Sequence, residues 1–323
     1  MDFPLRRAWS LVRGAMPYAV HRAAVYGALC LGLFCYLWML AIVGGVFGAI
    51  AFWTLFIGSA GIALLIGMGG FVSVYLLYRR RIGHVAILTE LATEGHLPGG
   101  ISQVKWAEGR VLHYFGGLAG LLNARRIIRE TMRSLDRNLF DSSAVLPVPG
   151  LEGGSRFAWH VADLSVGYIE EAFAAYAFHT RNDNVHESLR AAILIYCQCW
   201  KSMLSRAITL TWLGYAFGLS VAVVCLIPLG MLAWSTPASW SVAHFALFAT
   251  GLLMGYFAKS AVFDPCASAA MVVTFLDEAE ILAPDAEWDR KVEAACPAYA
   301  ELKEKGRPIK RARAKKTPKE TGA

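Results

Sequence analysis

Residues 207–258, AITLTWLGYAFGLSVAVVCLIPLGMLAWSTPASWSVAHFALFATGLLMGYFA, contain no Asp, Glu, Lys or Arg and one histidine, His244. About twenty apolar residues cross a bilayer as a helix, so this stretch holds two spans. WSTPASW, with Trp234 and Trp240 at its ends, is the turn between them. Pro228 removes a backbone hydrogen bond and is expected to kink the first of the two spans near its outer end. Working outward, residues 23–78 form the counterpart: they carry no charge and are also two spans long. Clustered glycines at Gly44-Gly45-Val46-Phe47-Gly48 place the turn of this first hairpin. Its second half holds Gly58, Ser59, Gly61, Gly67, Gly69 and Gly70, small residues that let helices approach closely in lipid.

The expected fold is therefore an all-α integral membrane protein. Two transmembrane helical hairpins, four spans in all, flank a helical, amphipathic cytoplasmic middle region. The expected units are an interfacial helix (1–22), hairpin 1 (23–78), the cytoplasmic and interfacial helical region (79–206), hairpin 2 (207–262), an amphipathic helix (263–282) and a basic, disordered tail (283–323).

Composition supports that architecture. Only 17% of the 323 residues are charged, below the roughly one quarter of an average soluble protein. All 31 Lys and Arg lie outside 23–78 and 207–258. Because positive residues are retained on the cytoplasmic side, the N-terminus, residues 79–206 and the tail should share that compartment, in the plasma (inner) membrane. Arg79, Arg80 and Arg81 are the sharpest of these signals and, with Lys259, are candidate contacts for anionic lipid headgroups. The first apolar stretch is far too long for a secretory signal and reads as uncleaved. The seven cysteines are scattered, which suits small buried hydrophobes rather than disulfides.

Residues 1–22 place Leu5, Trp9, Val12 and Met16 at helical spacing, the pattern of a helix lying in the membrane interface. From about Ser102 to Phe140 apolar residues alternate with Arg125, Arg126, Arg129, Arg133 and Arg137, a basic face that either lies on the membrane or is simply solvated. Asn184 with Glu187 has the form of a capping box for a helix over 185–206 that feeds the third span, as one long helix or through a kink.

Residues 157–180, FAWHVADLSVGYIEEAFAAYAFHT, are the most unusual segment outside the hairpins. His160, Asp163, Gly167 and Glu170 or Glu171 follow steps of three or four and share one helical stripe, with Tyr168 among its aromatic neighbours. At membrane depth such acids mark an ion or substrate path, and these five ionisable or hydroxyl-bearing residues are the candidate binding site. The commoner role of such a pattern is a half-buried cytoplasmic helix, and arginines on both sides of the segment argue against a full crossing.

Chemistry-bearing motifs do not accumulate. Phosphate loops, dinucleotide fingerprints, HExxH and GxSxG are absent, so no catalytic residue is assigned and the chain is not expected to be an enzyme. His160 and Asp163 supply two metal ligands at most, with His179 and His186 as further candidates and nothing to fix a third, so neither metal nor cofactor is expected. The basic tail, KEKGRPIKRARAKKTPK, attracts anionic surfaces by charge alone, and nucleic acid is not an expected partner.

Within residues 168–281, YIEEAFAAY, HESLRAAILIY and GYFAKSAVFDPCASAAMVVTFLDEAE resemble the last third of the choline transporter-like proteins. There too an amphipathic helix leads into a pair of spans, and an acid-ended helix follows the last one. The resemblance covers about a third of the chain and rests on apolar and aromatic spacing. It implies a polytopic, transporter-like bundle and carries over no binding residue. The expectation is thus a transport or permeation protein that self-associates, since four spans enclose little volume. The alternative is a non-enzymatic scaffold or accessory subunit that docks a cytoplasmic protein partner.

Overall fold

The computed structural model describes residues 5–46, 77–140, 156–237 and 241–306. Among them every regular element is helical: α1 (Leu5–Gly14), α2 (Met16–Val46), α3 (Tyr78–Glu94), α4 (Gln103–Phe115), α5 (Leu118–Asn138), α6 (Arg156–His179), α7 (Val185–Ser235), α8 (Ser241–Ala258), α9 (Asp264–Ile281), α10 (Ala286–Ala295) and α11 (Pro297–Lys305).

Among the described residues three helices are long and apolar enough to cross a membrane: Met16–Val43, Val185–Ser235 and Ala243–Ile281. Their distal parts pack mainly on one another and expose large apolar side chains, among them Leu219, Val224, Ile227, Phe245, Phe248 and Met254. Such a surface calls for an apolar surround. The expected second span lies almost wholly in 47–76, outside the described residues, as does Gly48 of the proposed turn. α2 itself stays helical through Val46.

The α7–α8 contact depends on glycine. A Cβ on Gly255 would stand 2.3 Å from the Gly218 carbonyl oxygen and 2.8 Å from Ala222 Cβ, so the two backbones meet without side chains between them. α7 leaves helical geometry at Cys199, with φ −115° and ψ 19°, and not at Pro228. The expected kink therefore sits where the helix passes from the folded body into its apolar half.

The body is built around α6. Ile169, Ala172, Phe173, Ala175 and Ala177 are fully buried, packed against α3, α7 and α9. The segment expected to be half-buried is the centre of the core. α9 differs from expectation in the same way: Ala269, Met271, Val272, Val273 and Phe275 cover all sides of the helix and are all buried, so it is a core helix rather than an amphipathic one. It continues α8 through a single π-helical turn, Lys259–Phe263.

At the N-terminal end α1 packs on protein, and at the C-terminal end the expectation of a disordered tail is corrected. The buried side of α1 carries Ala8, Leu11 and Val12 against α9, while Trp9 and Met16 are exposed. Arg7 pairs with Asp277 at 2.8 Å, so α1 is anchored to protein. The supposed tail is ordered through 306: α10 is capped by Asp285, and Val292, Cys296, Tyr299 and Leu302 are fully buried between α5 and α7. The basic residues beyond 306 lie outside the described residues. The capping box forms by halves, with Asn184 accepting from the Glu187 N–H while the Glu187 carboxylate takes the Asn182 side-chain amide.

Candidate functional site

At the junction between the apolar helices and the body, charged side chains are drawn inside. Glu170 and Glu171, adjacent on α6, are each 1% exposed. A helix turns by 100° per residue, so the two carboxylates diverge and meet different partners. Glu170 accepts a short hydrogen bond from Arg129 Nε and lies 3.5 Å from Arg125 Nε. The Arg125 guanidinium in turn sits 4.3 Å over the Tyr78 ring. Glu171 accepts from Arg81 Nε at 2.6 Å and from the Ser268 hydroxyl. Burial pushes the Glu170 carboxyl up, and the Arg129 and Arg125 guanidiniums pull against it.

One turn before Ser268, Asp264 opens α9. Its Oδ1 accepts from Lys259 Nζ at 2.9 Å and from the Tyr168 hydroxyl at 2.9 Å. The Lys259 ammonium also lies 5.0 Å over the Tyr215 ring. Asp264 is within electrostatic reach of two further cations, Arg22 and Arg81.

Arg22, on α2, is fully buried, and none of its three guanidinium nitrogens has a hydrogen-bond partner. The Tyr26 ring lies 5.6 Å beneath it. His84, on α3, is equally buried with both ring nitrogens unpartnered, stacked on Tyr18 at 5.9 Å and 11°. Burial, with Arg22 nearby, lowers its pKa to about 3, so this imidazole is neutral at physiological pH. The stack depends on Gly83, where a Cβ would stand 2.3 Å from the Tyr18 hydroxyl. The junction thus sets five cations, Arg22, Arg81, Arg125, Arg129 and Lys259, against three carboxylates, Glu170, Glu171 and Asp264.

The expected stripe is therefore divided. Glu170, Glu171 and Tyr168 join the buried network. Asp163 stays half-exposed and pairs with Arg133 at 3.1 Å. His160 lies on the first turns of α6. Of the expected headgroup cations, Arg81 and Lys259 are engaged inside the protein, Arg80 bonds Glu108 at 2.9 Å, and Arg79 is half-exposed at 3.9 Å from the same carboxylate. Arg22, His84, Asp264, Arg125 and Arg129 were not singled out as site residues. The one local signal was at Arg22, the cation immediately before the uncharged block 23–78.

Distal to Arg22, a crevice of about 520 Å³ opens between α2, α7 and α8. Gly27, Cys30, Leu31 and Phe34 form one wall, Cys225, Pro228 and Leu229 a second, and Thr250, Leu253, Met254 and Phe257 the third. Its lining is almost entirely apolar. Among the described residues no group of three His, Cys, Asp or Glu side chains is placed to hold a metal ion. Compared with protein-family models, curated proteins and solved structures, the chain matches none.

Proposed function

We propose that the chain is a membrane protein of transport or permeation type that crosses the bilayer four times as two hairpins. The body and both termini lie in the cytoplasm, and the protein acts as a homo-oligomer. The observation that carries this reading is the charge network set into the base of three apolar helices. Ionisable groups within membrane helices are costly to keep and mark ion or substrate pathways, and Arg22, Lys259 and Asp264 of the network fall within the candidate spans. Further along the same apolar helices lies a crevice bordered by Pro228, and helix-breaking residues are tolerated in membrane helices where neighbouring groups satisfy the freed backbone. The resemblance of residues 168–281 to choline transporter-like proteins adds weight to the same reading.

Flux into liposomes holding the purified protein tests it, with potassium, chloride and choline as probes. Removing both members of a buried ion pair is far less disruptive than removing one. The double variant Lys259→Met/Asp264→Asn should therefore fold and lose flux. No flux of any probe above that of empty liposomes, or undiminished flux in the double variant, overturns the transport reading. Topology is tested separately: a cysteine at Pro237 should react with an impermeant reagent from outside, and one at Gly99 should not.

A second reading, an accessory subunit docking a cytoplasmic partner, is favoured by one observation. Glu170 and Glu171 are already neutralised by arginines and offer no free carboxylate to a passing solute. Under that reading, removal of residues 307–323 releases a partner that co-purifies with the full chain. Retention of every co-purifying protein counts against it.

A further inference from the structure

A guanidinium cannot shed its proton, so burying one without an anion is among the costliest arrangements a protein can adopt. Arg22 is in that position: fully buried, without a hydrogen bond to any of its nitrogens. The carboxylate whose field it feels, Asp264, already accepts from Lys259 and Tyr168. His84 beside it holds two more unpartnered ring nitrogens, one of which carries a proton in the neutral ring. Two buried donors without partners at one place, in a network with surplus positive charge, suit an anionic ligand.

The position of Arg22 identifies that anion. It stands at the last residue before the uncharged run of α2, the depth at which headgroups lie if this helix crosses a bilayer. The apolar crevice begins five residues further along the same helix, at Gly27, and runs to Phe34. From Arg22 to Phe34 the helix rises about 18 Å, close to the ~15 Å of one hydrocarbon leaflet. The Arg22 guanidinium makes no hydrogen bond, and the Tyr26 ring, one turn further along α2 toward the crevice, lies 5.6 Å from it.

We propose that Arg22 and the crevice between α2, α7 and α8 form a binding site for one anionic phospholipid, its phosphate on Arg22 and one acyl chain in the crevice. His84 supplies a second donor to the phosphate. The site is a binding site and stands or falls independently of transport.

The test uses the full chain in neutral detergent, with phosphatidylglycerol, phosphatidylcholine and inorganic phosphate as probes. Readouts are the thermal unfolding midpoint and the lipids retained in native mass spectrometry. Phosphatidylglycerol should raise the midpoint well beyond phosphatidylcholine, and phosphate alone should not. Arg22→Met should raise the midpoint of the lipid-free protein, because it removes an unpaired buried charge, and should abolish the phosphatidylglycerol increment. An Arg22 that served only to hold the fold would instead lower the lipid-free midpoint on substitution, and that result overturns the proposal. Equal effects of the two lipids, or an increment reproduced by phosphate, also overturn it. Should Arg22→Met not fold, Cys30→Trp decides: it fills the crevice and leaves Arg22 in place. It should weaken phosphatidylglycerol binding by roughly tenfold or more, the effect of losing a buried contact worth over 1.4 kcal/mol, and unchanged affinity overturns the site.

Discussion

Glu170 and Glu171 differ from the other acids among the described residues in being wholly enclosed, each facing a guanidinium. Removing one member of a buried pair leaves the other charge unsolvated and costs about 3–5 kcal/mol. Glu170→Gln should therefore destabilise the protein by about that much in denaturant unfolding, whereas Asp163→Asn, at a half-exposed pair, should cost under about 1 kcal/mol. His84 makes a second prediction. Its pKa is lowered from the usual 6.5 to about 3, so between these values the unfolded chain binds a proton that the folded one refuses. Stability should be independent of this group above pH 6.5 and fall as the pH drops below it. In a pH series of unfolding midpoints, His84→Phe should flatten that part of the profile. The sequence exposed these acids as a stripe but not what met them. Arg129 and Glu170 are 41 residues apart, and Tyr168 and Asp264 are 96 apart. Periodicity reports which side of a helix a residue occupies, never which other helix lies opposite.

Among the elements, the helices most legible in sequence are those whose composition forces one environment. α2, α7 and α8 are too apolar to be anything but enclosed by apolar matter, and the structure keeps each as a helix long enough to span. α9 and α6 were harder, because a helix buried by protein on all sides and one half-buried at an interface can share a composition. The arginines of α5 illustrate the same ambiguity. Read as a face toward lipid or water, Arg125 and Arg129 instead turn inward to Glu170. The α7–α8 crossing yields a third prediction. A leucine at Gly255 must displace the Gly218 backbone and Ala222, so Gly255→Leu should separate the two helices and lower the unfolding midpoint, while Gly230→Leu, with open space around it, should leave it nearly unchanged. α10 and α11 yield a fourth. Although partial burial opposes it, hydrogen bonds from Arg190, Tyr299 and Lys303 hold the Asp289 carboxyl down to about 2. A carboxyl lowered on folding stabilises above its unfolded pKa of about 3.9, and that contribution is lost as the pH falls toward 2. Amides of 286–305 should be protected from hydrogen exchange at neutral pH, and Asp289→Asn should reduce that protection without affecting α6.

On the scale of the whole molecule, the apolar helices α2, α7 and α8 join a helical body through one junction, and it is there that cations outnumber carboxylates. Hydrophobic length and the confinement of every Lys and Arg to segments outside 23–78 and 207–258 are properties of consecutive residues. By themselves they determined that this chain is helical and carries segments long and apolar enough for a bilayer, because backbone satisfaction in lipid admits few alternatives to an apolar helix of about twenty residues. The tertiary structure alone decided that α6 is the centre of the core, that residues 286–305 fold back onto α5 and α7, and that Arg22 is buried with no hydrogen-bond partner for its guanidinium. Those outcomes depend on which distant surfaces come together, and the free energy of a buried charge is set by its neighbours in space rather than by its neighbours along the chain.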